Sequence, residues 1–284
     1  MNETTGEEIH FTRAKMVISK LAGLSRVKFV LAVMANSRPR LRFLAHNLLK
    51  LLGHGPSVVY TYRIGGRTLT GFLRWKHIHS DVEVALELAV GDNYRLQQLP
   101  QPDFVIDGGA NIGLFALAAA ARWPKAPIIA FEPVHENVEA IRAHLRANHF
   151  ENQIKVEEAA LAGSDGSKRF FIRKSGQAGF VASSLPILET VDVACCALAR
   201  FLPQDPDLLK LIKMDIEGGE VEVLEALFAN GGLKKTIIVM EIHFPPATRQ
   251  WIEDLARRIG YIIEFYEFGP VTAHCQLASP DLAG

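Results

Sequence analysis

From residue 101 onward, short apolar runs alternate with segments of helical periodicity. Strands that are apolar along their whole length are typical of a parallel sheet covered by helices on both faces. The predicted strands are 103–107, 127–131, 153–158, 208–214, 236–242, 261–267 and 272–277, and the predicted helices are 113–122, 134–148, 219–229 and 246–259. No helix separates the last two strands, so we expect them to form an antiparallel pair at the end of the sheet. The pattern indicates an α/β fold.

The first part of the chain follows a different pattern. Residues 1–56 are rich in lysine and arginine, and their apolar residues recur at helical spacing on either side of Pro39. This predicts a basic amphipathic helical extension. Such an extension can pack on its own domain or on a second subunit in a homodimer, or residues 1–55 can lie on an anionic membrane surface. We expect packing, which is the commoner role of such helices.

Residues 57–100 and 101–284 complete the predicted organisation. In the first of these segments, two β-rich runs flank Gly65-Gly66, which predicts a hairpin, and a helix is predicted over 81–89. Residues 101–284 are predicted to form the ligand-binding domain. Within it, the insertion 168–195 lacks helical periodicity. We expect a strand or hairpin followed by a loop there, on the substrate side.

Composition and charge exclude several classes of protein. The chain has 31 basic and 31 acidic residues, which gives no case for a nucleic-acid-binding protein. Its three cysteines, two of them adjacent, match neither a disulfide framework nor a zinc motif, so we expect reduced, buried thiols. The start of the chain is acidic and polar, unlike a secretory signal. We therefore expect a cytoplasmic protein, with peripheral contact to the inner face of a membrane as the alternative.

A glycine-rich motif follows the first predicted strand of the α/β domain. It reads Asp107-Gly-Gly-Ala-Asn-Ile-Gly113 and leads into an Ala/Leu-rich helix. In open α/β sheets, ligands bind beyond the carboxyl ends of the strands. We expect Gly108 and Gly109 to let a ligand approach the backbone, and Gly113 to open the helix and allow close packing. The alternative is a plain tight turn between strand and helix.

A second candidate ligand residue ends the next strand. Glu132 lies 25 residues after Asp107 and precedes Pro133, which is predicted to start the following helix. An acid at this position can accept hydrogen bonds from both ribose hydroxyls of a nucleoside. The alternative is that Glu132 is only an acid at a helix N-terminus, where the helix dipole favours it.

These two signals fit a nicotinamide dinucleotide or S-adenosylmethionine. A dinucleotide site needs a glycine where this chain has Ala110, and Asp107 would repel a phosphate at the helix N-terminus. S-adenosylmethionine has no phosphate, and its sulfonium and ammonium groups are cations that Asp107 can attract. The sequence therefore favours S-adenosylmethionine as the cofactor.

Charged residues also end the two following strands. Lys213, Asp215 and Glu217 alternate, so all three share one side if the strand continues that far, and Glu220 follows them. They form either a reactive group or a lysine–carboxylate network that orders the loop, with Glu220 as a first-turn helix acid. On the next strand Glu241 and His243 share one face. Beside Asp215, His243 is a candidate for proton transfer, although a lone histidine is more often structural.

Together these motifs resemble the FkbM-type methyltransferases, a class I family dependent on S-adenosylmethionine. The resemblance covers roughly residues 78–268 and is most specific in the run Lys213-x-Asp215-x-Glu217-Gly. The matching segments are 105–113, Phe131-Glu-Pro133, Ser183-Ser184-Leu185, 212–220 and Met240-Glu-Ile-His243. It implies a Rossmann-like, seven-stranded, mostly parallel sheet with one antiparallel strand. It also implies O-methylation of hydroxyl groups on sugars, polyketides or related natural products.

The resemblance assigns roles to individual residues. Asp107 to Gly113, including Ala110 and Asn111, would hold the methionine end of the cofactor, and Glu132 would hold the ribose. Glu158 and the Ala159-Ala160 pair would flank the adenine, and Asp215 would lie near the methyl group. One departure stands out, because the family usually has a Leu-Asp pair where this chain has Leu198-Ala199. Substrate handling or activity could differ in this chain for that reason.

Methyl transfer from a sulfonium is an in-line displacement, and a sugar hydroxyl needs help to lose its proton. We expect His243 or Asp215 to take that proton and Glu217 to orient the base or the substrate, with Lys213 in the same candidate set. No metal is assigned, although Asp215, Glu217 and His243 could instead ligate a divalent cation. Two other readings stay open: a non-catalytic S-adenosylmethionine-fold binding protein, suggested by Ala199, and a dinucleotide-dependent oxidoreductase.

Overall fold

The computed structural model describes residues 57–64, 66–74, 77, 80–81, 84–85, 94–173, 178–179, 187–229, 233–243, 247–268 and 272–282. The predicted helical extension in residues 1–56 lies outside the described residues, as does the Ser183-Ser184-Leu185 segment. The chain divides into two units, Met1–Asp92 and Asn93–Gly284. No helix among the described residues has the length and apolarity needed to cross a bilayer.

The first unit contains the predicted hairpin. Strand β1 (Ser57–Ile64) pairs antiparallel with β2 (Arg67–Arg74), and Gly66 in the turn has a φ of 80°. Residues 80–81 and 84–85 are helical, which agrees with the start of the predicted helix 81–89, and the rest of that helix lies outside the described residues. Asp81 is buried and accepts hydrogen bonds from the backbone and guanidinium of Arg74.

The second unit alternates strands and helices as predicted. Its strands are β3 (Phe104–Gly108), β4 (Ile128–Phe131), β5 (Ile154–Glu157), β6 (Ala160–Ala162), β7 (Gly166–Arg173), β8 (Ala178–Gly179), β9 (Ile187–Ala197), β10 (Lys210–Met214), β11 (Thr236–His243), β12 (Ile262–Phe268) and β13 (Thr272–Ala278). Its helices are α1 (Leu114–Arg122), α2 (His135–Asn148), α3 (Glu220–Leu227) and α4 (Ala247–Ile259). Short 3-10 turns cover Leu198–Phe201 and Pro280–Leu282.

Within the described residues, the main sheet has seven strands in the order β12-β13-β11-β10-β3-β4-β5. Strand β13 is antiparallel to both of its neighbours, and the other pairs are parallel. This confirms the seven-stranded, mostly parallel sheet with one antiparallel strand. The strand order reverses between β3 and β10. In an open α/β sheet the ligand crevice lies at such a point, at the carboxyl ends of the strands.

The core explains why the strands are apolar without alternation. Ile106, Ile212, Met214 and Ile238 on the central strands are fully buried, because helices cover both faces of the sheet. Helix α1 is buried at every position from Leu114 to Ala121, since it is built almost entirely of alanine and leucine. The three cysteines are free thiols, and Cys195 and Cys275 are buried, as expected.

A smaller sheet corrects one prediction. Strands β6, β9, β7 and β8 form it in that order, and all of the described residues of the insertion 168–195 lie in its strands. The segment expected to be a loop contains β9, where buried Val193 and Cys195 alternate with exposed Asp192 and Ala194. The alternation is short and its apolar residues are small, which is why the sequence alone does not identify the strand.

Candidate active site

The glycine motif forms a tight turn at the end of β3. Gly109 has a φ of 69°, and a Cβ there would lie 1.8 Å from the carbonyl oxygen of Asp215. The close neighbour of Gly109 is therefore this chain's own loop after β10, whereas the approach of a ligand stays a prediction. Gly113 has a φ of 82° immediately before α1, and a Cβ there would lie 3.1 Å from Ile141 on α2. Gly113 thus opens the helix and allows close packing, as predicted.

An ion pair between Asp107 and Lys213 lies directly beneath this turn. The two residues are register partners on β3 and β10, and Lys213 Nζ is 3.3 Å from Asp107 Oδ1. The same ammonium donates to the carbonyl oxygens of Gly108 (3.2 Å) and Gly109 (2.8 Å). Lys213 therefore ties β10 to the glycine motif, which is the loop-ordering contact that one reading of the sequence expects.

Burial sets the ionisation of this pair. Asp107 is completely buried, and this raises the pKa of its carboxyl group, although the Lys213 ammonium counteracts part of the rise. Burial also opposes the charge on Lys213, but Asp107 and Asp215 outweigh it and hold the pKa of Lys213 above its ordinary value. Each charge therefore offsets part of the cost of burying the other.

The charged residues after Lys213 do not continue the strand. Strand β10 ends at Met214, so Asp215 and Glu217 lie in the following loop and the predicted alternation does not extend to them. Asp215 stays near Lys213, with Oδ2 3.9 Å from Nζ. Glu217 has a φ of 56°, and a Cβ on Gly179 would lie 2.5 Å from its Cβ, so β8 packs against this residue. The structure thus brings Asp215 to Lys213 and places the Glu217 backbone against β8.

Glu220 is the first residue of α3. Its side chain is buried, and Oε1 accepts a hydrogen bond from the backbone N–H of Gly218 at 3.2 Å. These contacts are those of an acid in the first turn of a helix, which favours the structural reading of this residue.

Glu132 joins the end of β4 to the glycine motif and to α2. Its Oε2 accepts the backbone N–H of Asn111 at 2.8 Å, and its Oε1 accepts the backbone N–H of Val134 and the side-chain amide of Asn137. Burial raises the pKa of Glu132 to about 7, and these three hydrogen bonds counteract the rise. The contacts near the helix start match the alternative reading, and the ribose role stays a prediction. Helix α2 begins at His135, so Pro133 precedes it by two residues.

The residues expected near the adenine follow β5. Ala159 and Ala160 are buried, whereas the Glu158 side chain is 39% exposed. Glu158 lies 2.8 Å from His135 Nδ1 and 3.7 Å from an Arg142 nitrogen, so it links β5 to α2. The adenine role of these residues stays a prediction.

The departure at Ala199 falls in an exposed 3-10 turn. Asp165 holds that turn, because its Oδ1 accepts the backbone N–H of Ala197 at 3.0 Å and its Oδ2 lies 2.6 Å from Arg200. A carboxylate from the loop between β6 and β7 therefore stabilises the turn around Ala199.

Two residues at this edge, Tyr94 and His274, are not predicted from the sequence. Tyr94 is buried, donates its hydroxyl to Asp215 Oδ2 at 3.1 Å, and has its ring centroid 5.4 Å from Lys213 Nζ. His274 on β13 packs edge-on against Tyr94 and lies 3.7 Å from Glu241. Glu241 lies on the strand that His243 ends, and the His243 side chain lies outside the described part of the structure. No sequence motif marks Tyr94 or His274, since they reach the site from outside the matching segments.

The residues present fit a cofactor with a cationic end and a ribose. Asp107 is buried beside the Lys213 ammonium, and a carboxylate has lone pairs for further donors, so it keeps acceptor capacity for the ammonium of a cofactor. Glu132 is held rigidly at the end of the neighbouring strand, where a ribose would lie. Within the same described ranges, no cluster of three His, Cys, Asp or Glu side chains has the arrangement of a metal site.

Comparison with known proteins agrees with this chemistry. A family model described as "Methyltransferase FkbM domain" matches residues 107–271, more than half of the chain. The chain belongs to the FkbM methyltransferase family. As a member, it is a methyltransferase of the class I fold that uses S-adenosylmethionine as its cofactor.

Individual relatives are distant. Methyltransferase sdnD from Sordaria araneosa is 27% identical over 205 residues, which span 60% of this chain and 78% of that protein. Methyltransferase 1 from Beauveria bassiana is 26% identical over 162 residues, spanning 50% of this chain and 65% of that protein. A solved FkbM methyltransferase from Methylobacillus flagellatus is 16% identical, with a TM-score of 0.45, and the match covers 65% of this chain and 46% of that one.

Proposed function

We propose that this methyltransferase acts on a hydroxyl group of a sugar, glycan or related natural product. The observation that supports this most is the charge at the carboxyl edge of the sheet, where, among the described residues, Asp107 and Asp215 lie near the Lys213 ammonium and Glu241 also interacts with it electrostatically. An excess of carboxylates disfavours a polyanionic acceptor such as RNA. It suits a neutral hydroxyl, which has to lose a proton on methylation.

The side chains have distinct tasks in the proposed reaction. Asp107 attracts the ammonium of the cofactor, and Glu132 accepts hydrogen bonds from its ribose. S-adenosylmethionine supplies an electrophilic methyl group when bound. Holding the hydroxyl oxygen in line with that methyl group can contribute about 7–11 kcal/mol of the rate enhancement. Asp215 and His243 are the proton acceptors predicted from the sequence, with Glu217 as an orienting group, and these roles stay predictions.

The deciding experiment follows a labelled methyl group from S-adenosylmethionine into an extract of glycans, lipids and polar metabolites. We expect the label in a methyl ether, and we expect Asp107→Asn to weaken cofactor binding. The matched ligand is methylthioadenosine, which lacks the amino-acid end, so Asp107→Asn should lose less affinity for it than for S-adenosylmethionine. Label found only in RNA, in protein or on nitrogen would contradict the proposal.

A further inference from the structure

Glu241 and His274 lie on the same face of the sheet as the ion pair. Residues that pair across neighbouring strands point to the same face, as do alternate residues along one strand. Asp107 pairs with Lys213, and Lys213 pairs with Val239, two residues before Glu241. Glu241 in turn pairs with His274, because β13 runs antiparallel and brings its first residues to the carboxyl end of β11. The register therefore sets a carboxylate and an imidazole beside the acidic edge.

Exposure increases from the centre of this cluster outward. The side chains of Asp107 and Lys213 are 0% and 4% exposed, that of His274 is 8%, and those of Glu241 and Asp215 are 17% and 26%. An incoming acceptor would therefore meet Asp215 and Glu241 first, with His274 behind Glu241. In this arrangement the Glu241 carboxylate would contact the acceptor, and the His274 imidazole would lie behind the carboxylate.

The contacts of the two outer carboxylates separate their roles. Asp215 accepts a hydrogen bond from the hydroxyl of Tyr94 and lies near the Lys213 ammonium, so these contacts hold it in place. Glu241 faces His274, a side chain that can be neutral or charged near neutral pH. A carboxylate beside a titratable partner is better suited to take up a proton and pass it on.

We infer that Glu241, in place of the Asp215 or His243 predicted from the sequence, is the residue that accepts the proton of the acceptor hydroxyl, and that His274 is its positioning residue. This inference rests on the proposed O-methylation. The hydroxyl oxygen forms a bond to the methyl carbon as the carbon–sulfur bond breaks, and the electron pair of that bond stays on sulfur. The hydroxyl proton moves to the Glu241 carboxylate and then to solvent. S-adenosylhomocysteine and a methyl ether are the products.

Several charged or titratable residues lie on the elements that pack around the pair. Lys213 and Asp215 approach from β10 and its loop, and Tyr94 packs on His274 from the segment before β3. Tyr266 on β12 stacks on His274, and Arg95, which pairs with Glu264, lies over the Tyr266 ring. Glu267 is the register partner of His274 on β12, and His243 ends β11 itself. Substitutions in the test therefore leave all of these residues intact.

The test measures single-turnover methyl transfer from labelled S-adenosylmethionine to the same extract, at several pH values, with the full chain. Glu241→Gln should lower the rate by about 100-fold or more, a typical loss when a general base is removed. Glu241→Asp should retain part of the rate because it keeps the acid. His274→Gln should lower the rate about tenfold and move the acid limb of the pH–rate profile to higher pH, since no cation would then stabilise the Glu241 anion. Exposed Glu225 and His149 supply the controls Glu225→Gln and His149→Asn.

Binding of S-adenosylhomocysteine separates chemistry from folding. Glu241→Gln should keep its affinity within about threefold, so a parallel loss of binding and rate would overturn the inference, as would a rate close to that of the control variants. If the pH–rate profile of His274→Gln is the same as that of the unmodified chain, His274 is not the positioning residue of Glu241. If the unmodified chain forms no methyl ether at all, the proposed function fails first, and the two failures are distinguishable.

Discussion

Replacing Lys213 by methionine should destabilise the second unit strongly. The substitution keeps a long, flexible apolar side chain but removes the ammonium that lies 3.3 Å from the buried Asp107 and donates to two carbonyl groups of the glycine motif. Breaking a buried ion pair from one side costs about 3–5 kcal/mol, because the remaining charge stays buried without compensation. At about 2–4 °C per kcal/mol for a domain of this size, the melting temperature should fall by about 6–20 °C.

The pH dependence of this loss follows from Asp107. Burial holds the pKa of Asp107 above its ordinary value, and removal of Lys213 raises it further. A group whose pKa is higher in the folded protein than in the unfolded chain stabilises the folded state at pH values below its unfolded-state pKa. This stabilisation is lost as the pH rises through the folded-state pKa. The loss of stability caused by Lys213→Met should therefore become smaller as the pH is lowered towards 4. The double variant Lys213→Met/Asp107→Asn should recover part of the stability at neutral pH.

Lys210 offers a matched control on the same strand. It is also buried, but it donates to the carbonyl groups of Leu208 and Pro206 and has no buried carboxylate partner among the described residues. Thermal unfolding of Lys210→Met should show a smaller loss that stays nearly constant at acidic pH. If Lys213→Met melts no lower than Lys210→Met, and the double variant recovers nothing, the charge-compensation argument is wrong.

Three further predictions concern the cofactor site and the start of the chain. Burial raises the pKa of Glu132 to about 7, so its carboxyl group becomes largely ionised between pH 6 and 8. Because the ionised form is the better acceptor for the ribose hydroxyls, affinity for methylthioadenosine should rise about 5- to 10-fold over this range. Calorimetry on Glu132→Gln should show no such rise. Gly109→Ala should abolish cofactor binding or folding, since the new methyl group would meet a carbonyl oxygen at 1.8 Å. Gly260 has a similar φ of 74°, but no atom lies close to where its Cβ would be. Gly260→Ala should therefore lower the free energy of unfolding by only about 1 kcal/mol. If residues 1–55 contact membranes, their deletion should abolish flotation with anionic liposomes, and absence of flotation by the full chain would refute that contact.

The sequence predicts the main sheet well because its strands are buried on both faces. Each strand of that sheet lies within two residues of its predicted limits, as β3 (predicted 103–107, found 104–108) illustrates. The positions of Asp107 and Glu132 at the ends of two neighbouring strands follow from the same pattern. Burial on both faces leaves a strong local signal, and local signals are what a single sequence carries.

The parts that escape prediction depend on pairing between distant segments. His274 reaches Glu241 only because β13 inserts between β11 and β12 in antiparallel register, and no local pattern specifies that partner. Tyr94 approaches from a segment before β3 that has no strand or helix of its own. Asp165 supports the turn around Ala199 through a contact across the smaller sheet. In each case the information lies in tertiary packing rather than in spacing along the chain.

The place of β13 also decides when the site can form during synthesis. The glycine motif leaves the ribosome early, but the partner strand that carries His274 is nearly the last element of the described chain, and it enters the sheet between two strands made before it. Until then β11 has an open edge on that side, which is a template for wrong pairing. A nascent chain can therefore hold the cofactor-binding half of the fold while it still lacks the acceptor half. Methyl transfer would have to await the synthesis and insertion of β13.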